Sequence, residues 1–284
     1  MARAGVETWW HRRTVVRGLS QRGNALADAL ALREHDVVAF VGAGGKTTAM
    51  LRLARELRAR GKAVAVTTTT RIFAPEERGA LLDVVGRTTR ELRRGVLSAL
   101  ARGDVPVVGR ALDPDGKLIG VVPASVAWLA KLPAIDHVLV EADGARGKPF
   151  KAPRRGEPVI PAVATLVVIV VGIDAVGRRL RAAAHHAAPV RRIVDVGEDD
   201  HLVASTIARV LLHPSGGARG VPRGARVVYL INKADTALRI ARARALSREL
   251  RLGGARHVVT VALRRRDAVV RVDRERRVRR SRSE

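Results

Sequence analysis

Apolar residues in this chain fall into short, nearly unbroken runs separated by stretches with helical spacing. DVVAFV (36–41), AVAVT (63–67), HVLVEA (137–142), TLVVIVV (165–171), RVVYLI (226–231) and HVVTVAL (257–263) are five to seven residues long and rich in Val. Runs of this length without polar alternation predict strands covered on both faces, as in a parallel sheet. The segments between them predict helices: Ala25–Arg33, with Leu26, Ala29 and Leu30 on one side, and Lys46–Arg60, with Met50, Leu53, Ala54 and Leu57 on one face. Further helices are expected over Arg90–Arg102, opened by Thr88 or Thr89, over Ser125–Leu132, over 198–213 and over Thr236–Leu250. Glu198, Asp199 and Asp200 would open the helix over 198–213, where carboxylates suit the helix dipole. VPVVGRALDPDGKLIGVV (105–122) predicts two short strands around a DPDG turn. Strand and helix alternate through most of the chain, which predicts an α/β fold, a mostly parallel sheet with helices on both faces.

This pattern divides the chain into an N-terminal lead with one helix (1–35), an α/β domain (36–263) and an arginine-rich tail (264–284). The tail holds ten Arg, and its end is expected to be disordered. The longest apolar run, Ala162–Ile173, is too short to cross a bilayer. The first residues, MARAGVETWWHRRTVVRG, lack the apolar core of a signal peptide. There is no Cys, so disulfides, thiolate metal sites and a cysteine nucleophile are excluded. These features point to a cytoplasmic protein without a membrane partner. The net charge of +26 would suit a polyanion. It is spread along the whole chain, however, and aromatics are only 2%, which argues for biased composition over nucleic-acid binding.

Candidate chemistry gathers where strands end, the place where open α/β sheets bind ligands. After the first strand comes Gly42-Ala43-Gly44-Gly45-Lys46-Thr47-Thr48. The glycines permit a tight loop, the following helix offers a partial positive charge at its N-terminus, and Lys46 can reach β- and γ-phosphates. Thr47 is placed to ligate Mg²⁺. The common pattern G-x-x-x-x-G-K-[ST] would need Gly where Phe40 stands; the shorter G-x-x-G-K-T-T resembles that of the Mur ligase family. The fold is therefore expected to be P-loop NTPase-like. Thr68, Thr69 and Thr70 follow the second strand and could meet substrate oxygens, or simply end a β-branched strand. Glu141 and Asp143, in VEADG, are candidates to hold Mg²⁺ or position a nucleophile. Asn232-Lys233-Ala234-Asp235 resembles the N-K-x-D of GTPases, in which the Asp accepts from guanine, the Asn contacts the base and the Lys stem packs on its face. The other reading is a capped strand-to-helix junction. In GARGKPFKAPRRGEPVIP (144–161), Arg146, Lys148 and Lys151 could clamp an anionic substrate, or form a solvated basic loop. The chain has only seven Lys and two Asn, yet Lys46, Lys148, Lys151, Lys233 and Asn232 all fall in these segments. His185 and His186, set among alanines, suit a structural or surface role rather than a metal pair.

AFVGAGGKTTAMLRLARELRARGKAVAVTTTTRIFAP, LVEADGARGKPFKAP, GEPVIP, LLHPSGGARGVP and INKAD together resemble the YqeC family, over about Leu26 to Val261. That family is described as selenium cofactor biosynthesis, or selenium-dependent hydroxylase accessory, proteins. The resemblance implies a bacterial cytosolic P-loop protein in the maturation of selenium-dependent molybdenum hydroxylases, with such a hydroxylase or its maturation proteins as partners. It supplies a pathway and not a reaction. The arginine-rich tail and high charge depart from it.

The expected function is GTP or ATP binding, and hydrolysis, with Mg²⁺. Gly42–Gly45, Lys46, Thr47 and Thr48 would hold the nucleotide, with Lys46, Glu141 and Asp143 carrying the chemistry. Thr47, Glu141 and Asp143 would hold the metal; Asn232, Lys233 and Asp235 would read the base. Two alternatives stay open: a small-molecule kinase or ligase on the same scaffold, and a non-catalytic polyanion-binding module.

Overall fold

A computed structural model describes residues 25–73 and 80–275. The start of the expected N-terminal lead (1–24) and the end of the arginine-rich tail (276–284) lie outside the described residues. Nine strands form the main sheet: β1 (Val37–Gly42), β2 (Val64–Thr68), β4 (Leu81–Val85), β5 (Val105–Gly109), β8 (His137–Glu141), β9 (Leu166–Gly172), β10 (Arg226–Asn232), β11 (His257–Val261) and β12 (Val269–Arg274). Their spatial order is β12-β11-β10-β9-β1-β8-β2-β5-β4. Every neighbour pair is parallel except β11 with β12. The fold is thus α/β with a large, mostly parallel sheet, as the apolar runs predict. A second, small antiparallel sheet joins β3 (Arg71–Phe73), β7 (Lys117–Ile119) and β6 (Ala111–Leu112), the last two flanking the DPDG turn.

The strand runs lack polar alternation because both faces are covered. Leu166, Val168 and Val170 of β9 enter one apolar cluster with Met50, Leu53 and Leu57 of α2 (Lys46–Ala59) and Leu26 of α1 (Leu26–Ala29). Val167, Ile169 and Val171 enter another with residues of α7 (Ala204–Leu212) and α8 (Ala237–Leu252). That second face continues over α3 (Thr89–Ala101) and α4 (Pro123–Ala130). Two short helices, α5 (Leu180–Ala183) and α6 (Ala188–Arg191), fill the connection after β9. Local signals set several boundaries. Thr88 accepts from Glu91 N while the Glu91 carboxylate accepts from Thr88 N, a reciprocal capping box that starts α3. Thr236 caps α8.

Several elements differ from expectation. The helix foreseen over 198–213 begins only at Ala204, and its first turn holds no acid. The three carboxylates serve the preceding loop instead: Asp200 accepts from Gly197 N at 2.7 Å, Asp199 pairs with Arg181 at 2.9 Å, and Glu198 faces Arg191 at 3.6 Å. β4 was not foreseen. Nor was β12, which lies in the stretch taken as tail and extends the sheet past residue 263. Among the described residues no helix is long and apolar enough to cross a membrane.

Candidate functional site

β1 lies between β8 and β9, so the loop that leaves it at Gly42 meets the ends of both neighbours. The glycines there have physical reasons. Gly42 has φ +92°, and a Cβ on it would stand 2.3 Å from Val170 O. Gly44 has φ +86°, and a Cβ would stand 2.2 Å from Gly172 N. Each position needs both the left-handed backbone and the missing side chain. Gly45, at φ +128°, precedes the first residue of α2, which is Lys46.

Lys46 is buried. Its ammonium donates to Gly42 O at 2.7 Å and lies 3.2 Å from Asp143 Oδ1 and 3.7 Å from Glu141 Oε1. The Thr47 hydroxyl donates to Glu141 Oε2 at 2.6 Å. Burial pushes the Glu141 carboxyl above the usual carboxylate range, opposed by the Lys46 charge and the Thr47 hydrogen bond. Asp143 Oδ2 accepts from Gly42 N at 3.1 Å, while its Oδ1 is buried with no hydrogen bond. The structure therefore brings Gly42, Lys46, Thr47, Glu141 and Asp143 into direct contact. Thr48 stands exposed at the start of α2.

Lys151 joins this group from within the 144–161 loop. Its buried ammonium donates to Gly144 O at 2.7 Å and Glu157 Oε2 at 2.9 Å, and lies 3.2 Å from Asp143 Oδ2. Two hydrogen bonds and an ion pair thus hold this buried ammonium within the fold. Lys148 instead donates to Ala182 O at 3.0 Å, and Arg146 is exposed. The threonine hydroxyls turn inward as well. Thr68 donates to Glu141 O and Thr69 to Val159 O, each at 2.8 Å, while Thr70 lies 3.1 Å from Thr68 Oγ1. They tie the ends of β2, β8 and the loop together.

On the other flank, Asn232 ends β10. Its amide Nδ2 donates to Gly44 O at 2.8 Å, and its Oδ1 accepts from Leu263 N at 3.3 Å. Sequence reasoning put this side chain on a base; here it fastens the glycine loop to β10 and to the end of β11. Lys233, at φ +67°, donates to Asp174 Oδ2 at 2.9 Å. Asp235 pairs with Arg239 at 2.6 Å, which holds its carboxyl below the usual range. Asp174 and Glu157 were missed. Asp174 lies two residues beyond β9, so the strand-end rule applied to that strand would have found it. Its Oδ1 is buried and has no hydrogen-bond partner. Nothing in the spacing of Glu157 marks it as a partner of Lys151. His185 is buried, its ring centroid 4.1 Å from that of His186 with the planes tilted by 43°. Among the described residues no group of three or more His, Cys, Asp or Glu could hold a metal ion by itself.

A family model described as YqeC protein matches residues 38–189, more than half of the chain. The chain belongs to the YqeC family. The Escherichia coli (strain K12) uncharacterized protein YqeC is 32% identical over 208 residues, 72% of this chain and 79% of that one. The YqeC match takes in the Gly42–Thr48 loop, the threonine run, Glu141, Asp143, Lys151 and Glu157. The family model's match ends at residue 189, before Asn232.

Proposed function

We propose that this YqeC-family chain is a Mg²⁺-dependent GTP- or ATP-binding protein that hydrolyses its nucleotide in the maturation of selenium-dependent molybdenum hydroxylases. The observation that carries the reading is the Thr47–Glu141 contact of 2.6 Å beside a buried lysine at a helix N-terminus. Oxygen donors from one hydroxyl and one or two carboxylates, without His or Cys, fit Mg²⁺ rather than a softer ion. Thr47, with Glu141 and Asp143, would hold it. The metal would neutralise charge on the phosphates and on Glu141, whose burial otherwise disfavours the anion. Lys46 would leave Gly42 O for a phosphate oxygen, while the loop N–H groups and the start of α2 hold the rest of the anion. Asp143 would remain beside Lys151 and orient the attacking water. Asp235, half-buried and paired with Arg239, would exchange that partner for a guanine edge. The selenium and molybdenum assignment rests on the family resemblance alone.

The test is binding of fluorescent GTP and ATP analogues with and without Mg²⁺, followed by phosphate release. Lys46→Ala is expected to lose binding by at least about tenfold, the cost of one charge-assisted phosphate contact. A Lys46→Ala protein that binds and hydrolyses as well as wild type refutes the reading. Phosphorylated product without free phosphate would favour the kinase alternative.

A further inference from the structure

β12 ends the nine-stranded sheet, four strands from β1, roughly 19 Å at the usual strand spacing. One side of it pairs with β11; among the described residues no strand covers the other. Beside that edge, α8 and β12 enclose a groove of about 450 Å³ lined by Arg244, Ser247, Arg248, Arg251, Arg271 and Asp273. The floor is built and neutral. Asp273 accepts from Ser247 Oγ and from Arg271 Nε, each at 2.8 Å, and Ser247 and Asp273 are buried. The walls are charged and unspent. Arg244, Arg248 and Arg251 are exposed, and their guanidinium groups form no ion pair or hydrogen bond among the described residues, though the Arg251 charge helps hold the Asp273 carboxyl below its usual range. Leu252, at the rim, is 72% exposed.

We propose that this groove receives an extended acidic segment of a partner protein, laid along the free edge of β12. An unpaired edge offers main-chain donors and acceptors to a polypeptide, and neighbouring side-chain sites then select its sequence. Arg244 and Arg248 are about 6 Å apart along the α8 axis, close to the roughly 7 Å between alternate residues of a strand. The partner therefore carries acidic residues at alternate positions, with an apolar residue to cover Leu252. The chain's own termini have the wrong charge for the role. Residues 1–24 hold five Arg and one Glu, and residues 276–284 hold five Arg and one Glu. Nucleic acid would use the charge but not the strand edge, and aromatics for stacking are scarce. This surface is separate from the Gly42–Thr48 loop and does not depend on nucleotide binding.

The experiment is fluorescence anisotropy with a fluorescein-labelled peptide of four Glu-Val repeats. Wild-type protein is compared with R244E/R248E/R251E and with R90E/R93E/R94E, which makes the same charge change on exposed residues of α3. Affinity is expected to fall at least about tenfold in the groove variant and less than about twofold in the control. Methylating alternate backbone nitrogens of the peptide should also weaken it, because edge pairing is lost. Equal weakening in the two triple variants would overturn the proposal, since attraction would then be general charge. So would a groove variant that loses duplex DNA but keeps the peptide.

Discussion

Asn232→Ala isolates the fastening of the glycine loop. The wild-type amide spans two backbone groups far apart in sequence, Gly44 O at 2.8 Å and Leu263 N at 3.3 Å, and is itself buried. Alanine removes both bonds, leaving a buried carbonyl and a buried N–H without this partner. Each such group costs about 1–3 kcal/mol, the longer bond to Leu263 belonging at the lower end, so the loss is about 2–4 kcal/mol. In a chain of this size that lowers the thermal midpoint by roughly 3–7 °C. Urea unfolding and a thermal melt read the two quantities. Asn232→Asp keeps an acceptor for Leu263 N but turns a second oxygen toward Gly44 O, so it should be at least as damaging. Nucleotide affinity should fall in both variants, because Gly44 and Gly45 lose their tie to β10. A midpoint within about 1 °C of wild type for both substitutions would refute the argument that this amide holds the loop.

Gly44→Ala should destabilise by about 1–3 kcal/mol or more, because its Cβ meets the backbone of Gly172 at a positive φ; Gly61→Ala, with φ +77° and open space, carries only the backbone strain. Comparing their unfolding midpoints checks the difference. Asp235→Asn should weaken GTP and favour xanthosine triphosphate; unchanged GTP affinity would remove this carboxylate from base reading. His185 is held down to about 4 from 6.5, chiefly by burial and then by His186 and Lys151. The unfolded chain therefore binds the extra proton first. Stability should be complete above about pH 6.5 and decline as pH falls toward 4. His185→Gln should flatten that decline in melts taken across the window, while His137 and His257, also lowered by burial, keep part of it. An unchanged slope would contradict the assignment.

The central sheet was legible because β1, β8 and β9 are buried on both faces and admit almost nothing but apolar residues. Glu141 was legible for a different reason, since strand ends collect polar side chains, and Thr47 because the glycine loop leads directly into α2. β12 was not, because an edge strand is wet on one side: VVRVDR alternates polar residues within an arginine-rich stretch. The acids at 198–200 resembled a helix start, but Glu198 and Asp199 face arginines of α6 and α5 and Asp200 accepts from Gly197 N, a choice decided by tertiary neighbours. Lys151 illustrates the limit most sharply. Its spacing suggests a substrate clamp, yet its partners are Asp143, Gly144 and Glu157, and only the folded loop brings them to one ammonium.

The position of β1 also governs how the chain can be made. Its neighbours β8 and β9 begin at His137 and Leu166, about a hundred residues further along. At about 5–20 residues per second, a ribosome leaves β1 unpaired on both edges for roughly 5–20 s. During that interval an apolar strand, VVAFVG, has no lateral partner from its own chain. The nascent protein thus has a defined period of vulnerability to chaperones and to aggregation, which closes only when β9 emerges.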